Sequence, residues 1–117
     1  MTSTRDIGNK GEDMAVAFLQ QKGYNILERN FRYKRNEIDI VARVDNLLIF
    51  VEVKLRRDSS FGYPETFVSD QQIDRIMDAA EEYQLGIDWK GPVRYDIISI
   101  EGEGDDLRIT HFKDALQ

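Results

Sequence analysis

The sequence has no cysteine, one histidine and only two prolines in 117 residues. Without cysteine there is no disulfide framework, no thiol nucleophile and no cysteine-based zinc site. A single histidine, His111, gives little support to a multi-histidine metal site or to Ser-His-Asp catalysis. No apolar stretch approaches the roughly 18 residues of a membrane span, and no signal-peptide pattern opens the chain, so we expect a cytoplasmic protein. Any bound metal would depend on carboxylates, which favours Mg²⁺ or Mn²⁺.

Charge is distributed unevenly along a chain that has the length of one domain. The formal net charge is −6, yet residues 29–57 carry eight Lys or Arg against four Asp or Glu. Residues 58–117 carry five basic and fourteen acidic residues. A polyanion would therefore dock on the central segment, in a salt-sensitive manner. We expect a single domain over 1–117, with residues 1–6 frayed.

Residues 37–54 predict a β-hairpin that brings carboxylates together. Asp45-Asn46 suits a two-residue turn. Counting from that turn gives four opposed pairs: Val44 with Leu47, Val41 with Phe50, Asp39 with Glu52, and Glu37 with Lys54. Opposed carboxylates repel each other unless a cation lies between them, so a divalent metal is predicted between Asp39 and Glu52, with Lys54 beside it. The alternative is a surface carboxylate paired with Lys54 at a solvated strand tip.

A first helix is predicted from Ile7 to Lys22, ending at Gly23. Glu12 lies at the edge of its apolar stripe and allows two interpretations. It is either a first-turn glutamate favoured by the helix dipole or a functional carboxylate. The helix taken alone favours the first interpretation, because acidic first turns are common.

A strand is predicted from Tyr24 to Tyr33, with an aromatic face and a cationic face. Its cationic face is either the solvated side of an ordinary edge hairpin or a rim that contacts phosphates. The candidate phosphate contacts of the basic segment are Arg32, Lys34, Arg35, Arg56 and Arg57.

A second helix is predicted from the N-cap Ser69, with Gln72 three residues later, to Gly86. Its apolar stripe comprises Ile73, Ile76, Met77, Ala80 and Tyr83. Two more strands follow, Val93–Ile100 and Leu107–Phe112.

In the first of these strands Arg94 and Asp96 are predicted to form a structural ion pair, and His111 in the second is interpreted as an ordinary strand residue. The element order is α-β-β-β-α-β-(β). It predicts an α/β or α+β fold in which helices cover a sheet, with the fourth strand beside the third.

These segments resemble a known family. The element order, Asp39, Glu52-x-Lys54 and a glutamate in the first helix resemble the restriction-endonuclease-like, PD-(D/E)xK superfamily. The segments GNKGEDMAVAFLQQKGY, NFR, EIDIVA, IFVEVKLR, FGYPETFV and RYDIISI resemble the YraN-like family of uncharacterised bacterial proteins over about residues 8–112. The resemblance implies a restriction-endonuclease-like core, a central mixed sheet flanked by helices. Archaeal Holliday junction resolvases, similar in fold, also place a glutamate in the first helix, which favours the functional interpretation of Glu12.

The resemblance implies metal-dependent hydrolysis of phosphodiester bonds. Asp39 and Glu52, with the Val53 carbonyl, would bind Mg²⁺ or Mn²⁺. Lys54 would orient the attacking water or stabilise the transition state, and Glu12 would hold a second metal or a metal-bound water. Glu37 would be an auxiliary participant or the charge partner of Lys54.

The implied partner is nucleic acid, in particular DNA that is branched or single-stranded, and resolvase-like relatives suggest a homodimer. The alternative is a non-catalytic module that keeps the fold and binds nucleic acid or a protein. The chain departs from the family pattern at three positions. Asn36 replaces a glycine, Gln72 replaces a lysine that would contact phosphate, and Ile38 stands where the superfamily's proline would be.

Overall fold

The computed structural model describes residues 4–56 and 69–116. Within them the elements are α1 (Thr4–Gln21), β1 (Asn25–Tyr33), β2 (Asn36–Val44), β3 (Leu47–Arg56), α2 (Asp70–Gly86), β4 (Val93–Glu103) and β5 (Asp106–Phe112). The strands form one mixed sheet in the order β1-β2-β3-β4-β5. Only β3 and β4 are parallel among these neighbours, because α2 carries the chain back between them. The predicted mixed α/β fold is confirmed.

The two helices cover opposite faces of the sheet. On one face, Ala15 and Leu19 of α1 pack in a core cluster with the alternate β3 residues Ile49 and Val51. On the other face, α2 packs Ala79, Ala80 and Tyr83 in a cluster with Leu48 and Phe50. Strand β3 is therefore buried on both sides, as its unbroken apolar run predicts. No helix among the described residues is long and apolar enough to span a membrane.

Helix α1 begins earlier than its sequence pattern predicts. It starts at Thr4, so residues 4–6 are helical, and residues 1–3 of the segment predicted to be frayed lie outside the described residues. Glu12 is then the ninth helical residue, and its interpretation as a first-turn glutamate is wrong. The C-terminal end agrees with prediction, since Gly23 has a φ of 90° and the Tyr24 N–H donates to the Leu19 carbonyl at 3.0 Å.

Helix α2 confirms its predicted cap and most of its apolar stripe. The Gln72 N–H donates to Ser69 Oγ at 3.1 Å. The buried residues are Ile76, Ala79, Ala80 and Tyr83. The prediction that Met77 belongs to this stripe is wrong, since Met77 is 38% exposed. The four buried residues have the i, i+3, i+4, i+7 spacing of one helix face, and Met77 lies beside that face.

The β2–β3 hairpin has the predicted register over most of its length. Val44 pairs with Leu47 and Val41 with Phe50, and Asp45 has the positive φ of such a turn. The ladder ends at Ile40–Val51, so the predicted pairs Asp39–Glu52 and Glu37–Lys54 do not form within it. Beyond that point β2 stays paired with β1 as far as Tyr33–Asn36, and β3 stays paired with β4 as far as Arg56–Glu101. The gap that opens between β2 and β3 beyond Ile40 and Val51 is called the fork below.

Candidate functional site

The fork holds Asp39 of β2 together with Glu52 and Lys54 of β3. The Val53 N–H donates to Asp39 Oδ2 at 2.7 Å, so a side-chain oxygen accepts where a regular ladder would supply a main-chain carbonyl. Lys54 Nζ lies 3.6 Å from Glu52 Oε1, and these side chains are only 19% and 14% exposed. The carboxylates and the lysine are thus concentrated in a place with little solvent around them.

Burial and mutual repulsion disfavour the ionised carboxylates of the fork. Burial raises the pKa of Asp39 to about 6, and the charges of Glu12 and Glu37 add to the rise. Burial also raises the pKa of Glu52 to about 7, and the Asp39 charge adds to it. The Val53 N–H and Lys54 act in the opposite direction but do not cancel the rise in the pKa of Asp39. Additional positive charge at the fork would therefore be favourable.

Glu12 approaches the fork from α1 and is 9% exposed. Its Oε1 accepts a hydrogen bond from Asn30 Nδ2 at 2.9 Å, and Arg29 Nε lies 3.5 Å away. Glu52 and Lys54 follow the alternation of Leu48 and Phe50, which places them on the α2 side of the sheet. The fork therefore gathers carboxylates from both faces.

Gly11 explains how α1 comes so close to the end of β3. A Cβ at this position would lie 2.5 Å from Leu55 Cδ2, so a larger residue would have to displace that side chain. The absence of a side chain lets the helix turn that carries Glu12 rest directly on β3.

The residues of the fork fit a hydrated divalent cation better than a closed metal cage. Among the described residues, no group of three or more His, Cys, Asp or Glu side chains is arranged to hold a metal. Asp39 and Glu52 supply two carboxylates. The Val53 carbonyl faces the same side as its N–H, toward β2, because both groups of a strand residue point to one neighbour. Mg²⁺ typically uses one or two carboxylates and completes its octahedron with water and phosphate oxygens, so this donor set suits Mg²⁺ or Mn²⁺.

The structure places Glu37 differently from its predicted position opposite Lys54. Glu37 Oε2 lies 3.8 Å from Arg32 Nη2, and Arg32 is exposed while Glu37 is half-buried. Glu37 is nevertheless near enough to raise the pKa of Asp39. It contributes negative charge to the fork while its ion pair points outward.

The predicted phosphate contacts are only partly brought together. Arg32 is exposed near the end of β1, and Lys34 and Arg35 form the exposed turn into β2, which leads directly to Asp39. Arg56 is half-buried at the end of β3, beside Glu101 in the register. Gln72 is half-buried in the first turn of α2. Arg57 lies outside the described residues.

Sequence reasoning missed the two residues that hold Glu12. Arg29 Nη2 also binds Asp13 Oδ1 at 2.6 Å, and Asn30 has a φ of 54° in the middle of β1. A signal was present, because asparagine is depleted in strands and tolerates a left-handed conformation.

A second polar cluster, which the sequence revealed only in part, lies around the fully buried Asp96. The predicted ion pair with Arg94 is confirmed, with Nε and Nη2 each 2.8 Å from a carboxylate oxygen. His111 is more than an ordinary strand residue, since its Nε2 lies 2.7 Å from Asp96 Oδ2. Its Nδ1 lies 3.3 Å from Lys22 Nζ, so the ring connects Asp96 to the end of α1. We interpret this cluster as structural.

The fold and the fork define a small mixed α/β protein with a carboxylate–lysine site that suits a divalent cation. Residues 11–100 match the family described as Uncharacterised protein family UPF0102, and the chain belongs to this family. This confirms the resemblance to the YraN-like family, whereas the place of that family in the nuclease superfamily stays a prediction.

The relatives span almost the same length as this chain. A UPF0102 protein of Flavobacterium psychrophilum is 43% identical over 116 residues, covering 99% of this chain and 98% of the relative. One of Bacteroides thetaiotaomicron is 42% identical over 116 residues, covering 99% and 96%. One of Persephonella marina is 42% identical over 110 residues, covering 93% and 91%. Their names state no activity.

Proposed function

We propose that this protein is a metal-dependent nuclease with a restriction-endonuclease-like core, which hydrolyses phosphodiester bonds in nucleic acid. One observation carries the proposal. The fork holds two carboxylates, Asp39 and Glu52, whose pKa values are raised by burial, beside a partly buried Lys54. Titratable groups whose pKa values are strongly shifted by burial and by a charged neighbour cluster at functional sites, which supports a functional role for this gap in the sheet.

Each residue of the fork has a defined role in this reaction. Asp39, Glu52 and the Val53 carbonyl would hold Mg²⁺ or Mn²⁺, which would supply positive charge to the scissile phosphate and lower the pKa of water. Lys54 orients the attacking water or stabilises the negative charge that develops on the phosphoryl oxygens. Glu12 adds a carboxylate for a second ion or for a hydrating water.

The surface around the fork supports a polyanionic substrate. Arg32, Lys34 and Arg35 lie at the end of the β1–β2 ribbon, next to the strand that leads to Asp39. These side chains would position the phosphate backbone without reading its sequence. The acidic remainder of the chain confines the contact to this side of the molecule.

The proposal is tested by cleavage of single-stranded, flapped, four-way and duplex DNA and of RNA, with Mg²⁺ and with Mn²⁺. The side chains are replaced by neutral ones of similar size in Asp39→Asn and Lys54→Met. We expect each variant to lower kcat by on the order of 100-fold or more, since each removes charge stabilisation from the transition state.

Asp88 and Lys90 provide a matched control. They have the same two-residue spacing as Glu52 and Lys54 and form a 3.1 Å ion pair, but they are 83% and 82% exposed. Asp88→Asn and Lys90→Met, purified identically, should cleave like the wild type and thereby exclude a contaminating nuclease. If the wild type does not cleave but binds Mn²⁺, and Asp39→Asn does not bind it, the non-catalytic binding module would become the better interpretation. Absence of both cleavage and Mn²⁺ binding would refute the site.

A further inference from the structure

Asn30 has a backbone conformation that its position in a strand does not explain. Five non-glycine residues in the described parts of the chain have a positive φ. Four of them, Lys34, Asp45, Asp88 and Asp114, lie in turns, where this conformation is ordinary. Asn30, with a φ of 54°, lies inside β1. A left-handed non-glycine residue costs on the order of 1 kcal/mol, and such strain concentrates at functional sites.

At the left-handed residue, the side chains of β1 and β2 change from one face of the sheet to the other. Just before Asn30, Arg29 pairs with Ile40, which belongs to the α1-side core, and Arg29 itself contacts α1. Just after it, Phe31 pairs with Ile38, and both belong to the α2-side core. Residues two apart in a regular strand share a face, so the alternation is broken at Asn30.

The reversal falls directly opposite Asp39. The flanking pairs place Asn30 across from Asp39 in the register. The Asp39 carboxylate reaches the main chain of β3, where it accepts from the Val53 N–H at 2.7 Å. The irregularity of β1 therefore coincides with the point at which β2 directs its carboxylate into the fork.

The side chain of Asn30 makes a second contribution. Its Nδ2 donates to Glu12 Oε1 at 2.9 Å, and Glu12 is almost fully buried. Arg29 holds the same carboxylate oxygen at 3.5 Å while its Nη2 is fixed on Asp13. The amide is a neutral donor, so it orients Glu12 without cancelling the negative charge that the fork requires.

We propose that Asn30 is a positioning residue of the fork, whose left-handed backbone directs Asp39 toward β3 and whose amide fixes the Glu12 carboxylate at the same gap. This inference rests on the proposed function. In this role Asn30 would act through the two carboxylates rather than on the reacting groups themselves. Partners of this kind are typically worth 10- to 100-fold in metal affinity.

The test separates the amide from the backbone. Asn30→Gly removes the amide but keeps the left-handed conformation, which glycine adopts freely. Asp45→Gly is the matched control, because Asp45 has a φ of 52° at the opposite end of the β2–β3 hairpin. We expect Asn30→Gly to weaken Mn²⁺ binding about 10-fold by titration calorimetry and to lower kcat with little change in KM. Asp45→Gly should leave both unchanged.

A double-mutant cycle with Glu12→Gln distinguishes positioning from a merely structural role. If Asn30 acts through Glu12, Asn30→Gly should change Mn²⁺ affinity by less than about twofold once Glu12 is replaced. Equal losses in both backgrounds, or wild-type affinity in Asn30→Gly, would overturn the inference while leaving the nuclease intact. A wild type that neither binds Mn²⁺ nor cleaves would refute the nuclease and this inference together. Asn30→Asp, which also accepts the left-handed backbone but repels Glu12, serves if the glycine variant does not fold.

Discussion

At the scale of single residues, the ionised carboxylates of the fork lower the stability of the folded protein. Asp39 and Glu52 are held where burial and their neighbours oppose ionisation, and Lys54 only partly compensates. The folded protein binds the protons of these two carboxyl groups more tightly than the unfolded chain does. The contribution of Glu52 to stability therefore falls as pH rises from about 4.5 through about 7. Above about pH 7 Glu52 is ionised in both states, and its destabilising effect no longer changes with pH.

Glu52→Gln should therefore stabilise the metal-free protein. The variant removes the ionisable carboxyl group, and Lys54 still has the negative charge of Asp39 nearby. We expect the free energy of unfolding at pH 8 in EDTA to rise by about 1 to 3 kcal/mol, and the gain to vanish near pH 4. Urea unfolding at the two pH values measures it.

The same variant should lose the stabilisation that Mn²⁺ confers on the wild type, since it removes one of the two carboxylate ligands. Glu82→Gln, an exposed glutamate on α2, provides the comparison and should change neither quantity. A loss of stability at pH 8 in Glu52→Gln would contradict the electrostatic account of the fork.

At the scale of elements, the sequence predicts a feature correctly where the residues that determine it lie close together in the chain. The Asp45-Asn46 turn predicts the hairpin register, and Ser69 predicts the start of α2, because each depends on residues at most a few positions away. The end of the β2–β3 ladder was not predictable in this way. It depends on β2 following β1 while β3 follows β4, which is settled by pairings distant in sequence.

The same reason explains the residues that sequence reasoning missed. Asn30 and Glu12 are 18 residues apart, and Asp96 and His111 are 15 apart on different strands. Asp39, Glu52 and Lys54 could be singled out because the hairpin relates them locally. A residue whose partner comes from another element has no periodic signal that would identify the contact.

The Asp96 cluster joins elements that are distant in the chain and predicts an acid-sensitive fold. Burial alone would raise the pKa of Asp96, but hydrogen bonds from His111, Arg94 and the Asp114 N–H lower it below its ordinary value of 3.8. The group therefore stabilises the protein above about pH 4, and this contribution is lost as pH falls through the lowered pKa.

Asp96→Asn should lower the free energy of unfolding at pH 7 by about 3 to 5 kcal/mol, because it leaves the half-buried Arg94 without its anion. It should also flatten the decline in stability below pH 4. Urea unfolding followed by circular dichroism at pH 7 and pH 3 tests both effects, with the exposed Asp88→Asn as control. An unaltered acid dependence in Asp96→Asn would show that other carboxylates control it.

At the scale of the whole molecule, opposite charges occupy different regions. The turn of Lys34 and Arg35 is exposed and basic. The exposed surface of α2 carries the carboxylates Asp70, Asp74, Asp78, Glu81 and Glu82. A cavity of about 270 Å³ between the basic turn and α2 is lined by residues from both regions, including Tyr33, Lys34, Asp78 and Glu81. Nucleic acid would be attracted to one side of this boundary and repelled from the other.

If the protein binds nucleic acid as proposed, the affinity should weaken steeply with salt, and the basic turn should account for part of the slope. Lys34→Gln combined with Arg35→Gln should reduce the slope of log affinity against log salt concentration by about 2, one for each phosphate contact. Fluorescence anisotropy between low and moderate salt measures this slope. Lys90→Gln, an exposed lysine beyond the end of α2, should leave it unchanged. An unaltered slope in the double variant would show that the contact lies elsewhere.

The irregular course of β1 also affects how copies of this chain behave in concentrated solution. β1 is an edge strand, and a long flat edge offers its main-chain groups to the strand of another molecule, which is a route to aggregation. Here the register shift between Ile26 and Glu28 and the left-handed Asn30 interrupt that edge twice within five residues. These two irregularities should therefore make β1 a poor template for fibre growth.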